Sequence, residues 1–249
     1  MLAIFKREFK SYFTTPVGYI VLAAFFFFLG WRFYQLYSQS AAFVEICIVS
    51  TYTIAMFVLP ILTMRIMSDD RRQKVDQVLL TAPVKVGSIV LGKFLAAFSV
   101  YALSFTPTII FEIIFAGRAE VLLFTYLYAL LGAFLFGGAI IAIGMFISSL
   151  TESPAVSAIL SLLVNVVILF MQELIGLLPQ PSGGTTFFAK LWENIIEFIT
   201  TLLEKASLID IYITFTDTIF RVTDVVYFLS IIFVFVFLSI RSLEKRRWS

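Results

Sequence analysis

Met64 to Lys93 reads MRIMSDDRRQKVDQVLLTAPVKVGSIVLGK, a charged island set between two long apolar runs. Its front half gathers Asp69, Asp70, Arg71, Arg72, Lys74 and Asp76, and Val75, Val78, Leu79 and Leu80 then supply an apolar side. That pattern predicts a short amphipathic helix. Ser68 is placed to cap its start, Asp69 and Asp70 lie where the helix dipole favours negative charge, and Pro83 turns Ala82 out of helical geometry and ends it. The flanks decide the fold. A polar helix between two segments long enough to cross a membrane must lie in water or at the membrane surface, which makes its neighbours crossing helices.

Outside the island the chain is apolar throughout. Of its 249 residues 61% are hydrophobic and 14% charged, with a mean hydropathy of +1.01. A soluble chain has roughly half apolar and a quarter charged residues, so this one reads as an integral membrane protein. A net charge of +2 and the lack of any nucleic-acid-binding motif argue against a nucleic-acid partner. With no His and Cys47 as its one cysteine, the sequence holds no His/Cys metal centre, Cys-His nucleophile, Ser-His-Asp triad or intrachain disulfide. Cys47, among apolar residues, reads as a small buried side chain.

Apolar length predicts six crossings, over residues 17–37, 46–67, 88–115, 122–150, 155–178 and 225–240. The third and fourth exceed the hydrocarbon thickness and must tilt or protrude. Ahead of them Leu2, Phe5, Phe9 and Phe13 recur near helical spacing with Lys6, Arg7 and Lys10 elsewhere on the wheel, which predicts an interfacial helix over residues 1–14. Those basic residues also look like the start of a signal peptide. The run behind them is long enough to span and no small-residue cleavage site follows, so the segment is expected to be retained.

The positive-inside rule places both termini in the cytoplasm. Lys6, Arg7, Lys10, Arg65, Arg71, Arg72, Lys74, Lys85, Lys93, Arg241, Lys245, Arg246 and Arg247 then share that side, and only Arg32, Arg118, Lys190, Lys205 and Arg221 lie opposite. The island becomes a cytoplasmic loop over residues 65–87, and residues 179–224 become an external segment. There Pro179, Pro181, Gly183 and Gly184 end the fifth crossing, and Phe188, Leu191, Trp192, Ile195, Ile199 and Leu202 recur at helical spacing beside Lys190, Glu193, Glu197 and Glu204. A seventh crossing would put the basic tail outside and carry charges through the membrane at about 2.5–3.5 kcal/mol each. A re-entrant or interfacial helix is expected instead, with an ordinary external amphipathic loop as the alternative. No repeat, low-complexity tract or linker divides the chain, so residues 1–249 read as one all-α transmembrane domain.

Few groups carry chemistry. Gly87 to Lys93 satisfies GxxxxGK, the pattern of a phosphate-binding loop, but Phe94 stands where Ser or Thr would hold magnesium and no strand-loop-helix unit surrounds it. Lys93 is expected in the first turns of an apolar helix, its ammonium reaching the cytoplasmic headgroups. Arg32, Glu112 and Glu173 each fall late in an outward-running crossing. Their common depth predicts pairing of Arg32 with Glu112 or Glu173, and marks all three as structural anchors or as contacts of an external gate or substrate. The mid-membrane holds little beyond Asn165 and hydroxyls, which argues against a charged relay of the kind pumps carry and against an intramembrane enzyme. Gly132, Gly137, Gly138, Ala142, Gly144 and Ser148 give the fourth crossing a small-residue side for close helix packing, within one subunit or between two.

Asp69-Asp-Arg-Arg-Gln-Lys-Val-Asp-Gln-Val-Leu-Leu-Thr-Ala-Pro83-Val, followed by Val90-Leu-Gly-Lys-Phe94, resembles the first cytoplasmic loop of ABC-2 type permeases, where EERRxGTLELLLTxPV precedes VLGKF or VLGKY. Asp69 and Asp70 replace the usual Glu pair, and Lys74, Val75, Asp76 and Gln77 stand where Gly, Thr, an apolar residue and Glu are common. The gliding-motility-associated type of permease is the most similar. Six crossings, an amphipathic start, a longer external segment and the basic end at Arg241-Ser-Leu-Glu-Lys-Arg-Arg247 extend the likeness over nearly the whole chain.

The resemblance implies the type V exporter-like fold and a permease subunit in a bacterial plasma (inner) membrane, driven by a separate ATPase and most simply an exporter. In the family this loop is the coupling helix, seated in a cleft of the ATPase subunit. By that likeness Asp69, Asp70, Arg71, Arg72, Val75, Gln77, Val78, Leu79 and Pro83 are the coupling residues, their apolar contact ringed by charge. Lys6, Arg7, Glu8, Lys10 and Glu152 are accessory to it. Two ATPases are expected to meet two permeases, the second identical or related, with membrane lipids around them and ATP and magnesium held by the ATPases rather than by this chain. The chain itself is not read as an enzyme. A different job on the same fold is an energy-transducing anchor that passes ATPase motion to an extracytoplasmic protein and transports no solute.

Overall fold

The computed structural model describes residues 1–38, 44–72, 85–115, 123–171, 173, 207–216 and 221–247, and every regular element among them is helical. In chain order these are α1 (Leu2–Thr14), α2 (Pro16–Ser38), α3 (Val44–Val49), α4 (Tyr52–Thr63), α5 (Ser68–Arg72), α6 (Val86–Leu103), α7 (Thr106–Phe115), α8 (Leu123–Leu150), α9 (Pro154–Leu169), α10 (Leu208–Ile213), a 3-10 turn (Thr214–Thr216) and α11 (Val222–Arg247). Five helical stretches among the described residues are long and apolar enough to cross a membrane: Pro16–Ser38, Tyr52–Arg72, Val86–Ile114, Leu123–Leu150 and Val222–Lys245. The predicted fifth crossing appears as the shorter apolar α9, and its expected end, like most of the external segment, lies outside the described residues.

Two of the expected crossings are not single helices. The run over 46–67 starts with a separate α3, which stops where the hydroxyls of Ser50 and Thr51 bond back to the carbonyls of Cys47 (2.8 Å) and Ile48 (2.6 Å). Such back-bonding competes with the helical ladder. The run over 88–115 breaks between α6 and α7 at Ser104–Phe105, just ahead of Pro107. Pro107 has no N–H to offer the carbonyl of Leu103, and the Thr106 hydroxyl takes that carbonyl at 2.6 Å. Pro60 creates the same vacancy inside α4, where the side chain of Asn165 on α9 bonds the freed carbonyl of Met56. In hydrocarbon each unpaired carbonyl is costly, so a helix tolerates proline where a neighbour supplies the missing donor.

α8 is the hub. Among the described residues it packs along α11 more extensively than any other helix pair packs, and also against α3, α4, α6 and α9. The expected small-residue side serves packing inside this one chain, and on several faces rather than one. A side chain at Gly137 would run into the ring of Tyr101 from α6, whose hydroxyl bonds the carbonyl of Ala133 at 2.9 Å. Gly144 admits Thr63 at the end of α4, and Gly132 admits Phe215 of the 3-10 turn. Outward, Phe27 of α2, Ile159 of α9 and Phe233 of α11 are among the most exposed apolar side chains, as lipid-facing surfaces require.

The end of the segment before the last crossing is not a surface loop. Leu208, Tyr212 and Phe215 are buried, Tyr212 stacks on Phe136 at 4.6 Å between ring centres, and its hydroxyl bonds the carbonyl of Ile48 at 3.0 Å. The amphipathic stretch predicted around Phe188 to Leu202 lies outside the described residues.

Candidate functional site

The charged island begins where α4 runs out. Thr63 bonds the carbonyl of Leu59 at 3.0 Å, the chain turns through Met64 to Met67, and α5 starts at Ser68. The expected Ser68 cap is not made. Its hydroxyl points back to the carbonyl of Met64, and a residue from another helix does the capping. Ser148, near the end of α8, accepts the backbone N–H groups of Met67 and Ser68 at 3.1 Å each and donates to Met64 at 3.1 Å. One buried hydroxyl thereby satisfies polar groups that a helix start leaves open.

The acids and bases of α5 divide between two neighbours. Arg71 faces the end of α8, with one guanidinium nitrogen 2.9 Å from the carboxylate of Glu152 and another donating at 2.9 Å to the carbonyl of Leu150. Asp70 faces the opposite way and meets the ammonium of Lys93, on α6, at 2.7 Å. Asp69 sits 3.7 Å from Arg65, one turn before it, and Arg72 is exposed. The remaining predicted coupling residues, Val75, Gln77, Val78, Leu79 and Pro83, lie outside the described residues.

Lys93 departs most from expectation. It does not reach toward headgroups: it is 2% exposed and turned into the protein, where it donates to the carbonyl of Ile66 at 2.6 Å and pairs with Glu8 of α1 at 3.4 Å as well as with Asp70. The reason is local. A buried ammonium needs acceptors around it, and the bend after α4, α5 and α1 place the carbonyl of Ile66 and the carboxylates of Asp70 and Glu8 within 3.4 Å. Gly87 to Lys93 is continuous helix, so the GxxxxGK pattern makes no phosphate-binding loop.

α1 completes the cluster. Phe5, Phe9 and Phe13 form a chain of ring contacts 5.8 and 5.2 Å apart along the predicted apolar stripe, and α1 packs against α6 and α2. Its accessory residues separate by role. Glu8 is drawn to Lys93 and to Arg7, and that bonded carboxylate raises the Arg7 guanidinium pKa above its ordinary value. Lys6 and Lys10 are exposed. The Tyr12 hydroxyl approaches the carbonyl of Leu62 at 3.4 Å. Between α1 and the start of α5 a cavity of about 300 Å3 opens, lined by Arg7, Glu8, Ser11, Tyr12, Arg65, Asp69 and Asp70.

At the other end of the bundle the expected pairing of Arg32 with Glu112 or Glu173 is not formed. Arg32 bonds Ser50 at 3.2 Å and Gln35 at 2.9 Å instead, both neutral and both closer in the chain. Glu112 is half-buried on α7, and Glu173 is exposed. The buried acid there is Glu45, at the start of α3, which sequence reasoning passed over.

The sequence carries no sign of Tyr12, of the cap made by Ser148 or of the pairing of Lys93 with Asp70 and Glu8. The only signal for Lys93 was a lone charge well inside an apolar helix. Ser148 reads from sequence as a packing residue and as the start of a turn that completes the docking surface with α1, and a hydroxyl in a small-residue stripe carries no mark of its partner.

The profile of a family described as ABC-2 family transporter protein matches residues 26–241, most of the chain. No curated protein matches it.

Proposed function

The chain belongs to the ABC-2 family of transporter proteins, multi-pass membrane subunits that work with ATPases and have no catalytic role themselves, and on that premise we propose that its charged island is where a separate ATPase drives it. In this reading the chain is one membrane domain of six crossings with both termini in the cytoplasm of a bacterial inner membrane, nearest in type to the gliding-motility-associated permeases. Two ATPases holding ATP and magnesium meet two such permeases, and the cycle exports a substrate.

One observation carries the proposal. The first turn of the island and the bend before it are bonded to α8 through Ser148, to the turn after α8 through Glu152 and to α6 through Lys93, and Lys93 in turn holds Glu8 of α1. A solvated surface loop has no use for buried ion pairs and a hydroxyl cap borrowed from another helix. An element that receives a push does, because displacement at its tip is passed to whatever it is bonded to.

Affinity purification of the tagged chain from native membranes tests the reading, with wild type compared against a Val78→Asp/Leu79→Asp variant. The expected result is an ATP-binding subunit that co-elutes with wild type and is lost with the variant while the permease still folds. Wild type eluting in mild detergent and after crosslinking with no ATPase sinks the proposal.

A further inference from the structure

We infer that Lys93 is a positioning residue that passes displacement of α5 sideways into α1 and α6, in addition to the route along the chain into α4. The inference rests on the coupling reading above. Three pieces of chain place an acceptor at one ammonium: the carbonyl of Ile66 from the bend after α4, the carboxylate of Asp70 from α5 and that of Glu8 from α1. Lys93 itself is rooted in the second turn of α6. An ammonium has three donors, and here each has an oxygen within reach.

Burial turns this arrangement into a constraint. At 2% exposure the ammonium has no water to fall back on, and stripping one partner from a buried charge pair is strongly destabilising. α5 therefore cannot shift beyond hydrogen-bond reach and leave Lys93 behind: either α6 and α1 follow, or the charge is stranded. Ser148 grips the opposite side of the same bend, so α5 is held between α8 and the Lys93 cluster with little freedom to move alone.

Removing the lysine alone would strand the Asp70 carboxylate and confuse misfolding with lost transmission. The decisive variant is the neutral triple Lys93→Met/Asp70→Asn/Glu8→Gln, because replacing a whole buried ion cluster by uncharged groups of similar size is often tolerated. In the complex with its co-purified ATPase, in nanodiscs and with ATPase added to saturation so that any weakened docking through Asp70 or Glu8 is offset, the permease-dependent part of ATP hydrolysis is expected to fall by about tenfold in the triple variant. Lys93→Arg, which keeps the charge, should preserve most of that part. Wild-type hydrolysis in the triple variant overturns the role of Lys93 and leaves the coupling reading standing, whereas a wild-type chain that binds no ATPase overturns both.

A second measurement needs no change in the cluster. With spin labels at Arg72 on α5, Leu91 on α6 and Ile113 on α7, the Arg72–Leu91 distance should hold on nucleotide binding while Arg72–Ile113 changes. Equal changes in both distances overturn the inference.

Discussion

Asn165 donates its side-chain amide to the backbone carbonyl of Met56 at 2.9 Å, the carbonyl that Pro60 leaves without a helical partner. A polar residue on α9 thus repairs a defect written into α4, and the two helices are paired at the point where α4 is weakest. The same α4 then ends in the bend gripped by Ser148 and Lys93.

The repair is measurable as a coupling. Asn165→Leu should destabilise the protein by about 0.6–1.7 kcal/mol, the range of hydrogen bonds between membrane helices. In a Pro60→Ala background, which returns an N–H to Met56, the same change should be nearly silent. A double-mutant cycle by thermal or denaturant unfolding in detergent checks this, and additive losses would show that Asn165 serves something other than the proline.

Packing around α8 predicts opposite signs for two Gly→Ala changes. At Gly137 the new methyl meets the ring of Tyr101, and overpacking of that kind costs about 1–3 kcal/mol. At Gly30 of α2 nothing lies within 4 Å, so alanine should stabilise by up to about 1 kcal/mol through helix propensity. Melting temperatures of the two variants should move apart from wild type in opposite directions.

The two ties of α5 to α8 differ in strength. Glu152 is 72% exposed, and an ion pair that open to solvent is worth about 0–1 kcal/mol, so Glu152→Gln should leave unfolding almost unchanged. Ser148→Ala strands the buried backbone N–H groups of Met67 and Ser68 and should cost about 1–3 kcal/mol. Limited proteolysis of the island should quicken in Ser148→Ala and not in Glu152→Gln.

Cys47 is fully buried. Folded protein should resist maleimide labelling and react once denatured in SDS, so the native chain serves as a silent background for introduced cysteines. On that background Arg72→Cys should react with a membrane-impermeant reagent only after cells are opened, and Arg118→Cys in intact cells. The reverse pattern would invert the proposed orientation.

Segments whose physics is local were readable from the chain. The amphipathic α1, the long apolar runs and the charged start of α5 all follow from periodicity and length. What escaped was every choice of partner. Lys93 had both water and protein within reach of its flexible stem, and only the folded position of Ile66, Asp70 and Glu8 decides between them. Arg32 was matched to distant acids by depth alone, while Ser50 and Gln35 stood nearer. Tyr212 carried no sign that its hydroxyl would find Ile48.

That last contact joins residues 164 positions apart. At about 5–20 residues per second, a ribosome places roughly ten to thirty seconds between the two. For most of that interval the Met56 carbonyl inside α4 also waits, because Asn165 has not yet been made. The early half of the chain therefore waits in an unfinished state, and a product truncated before Asn165 keeps an open carbonyl at Met56 in the middle of α4.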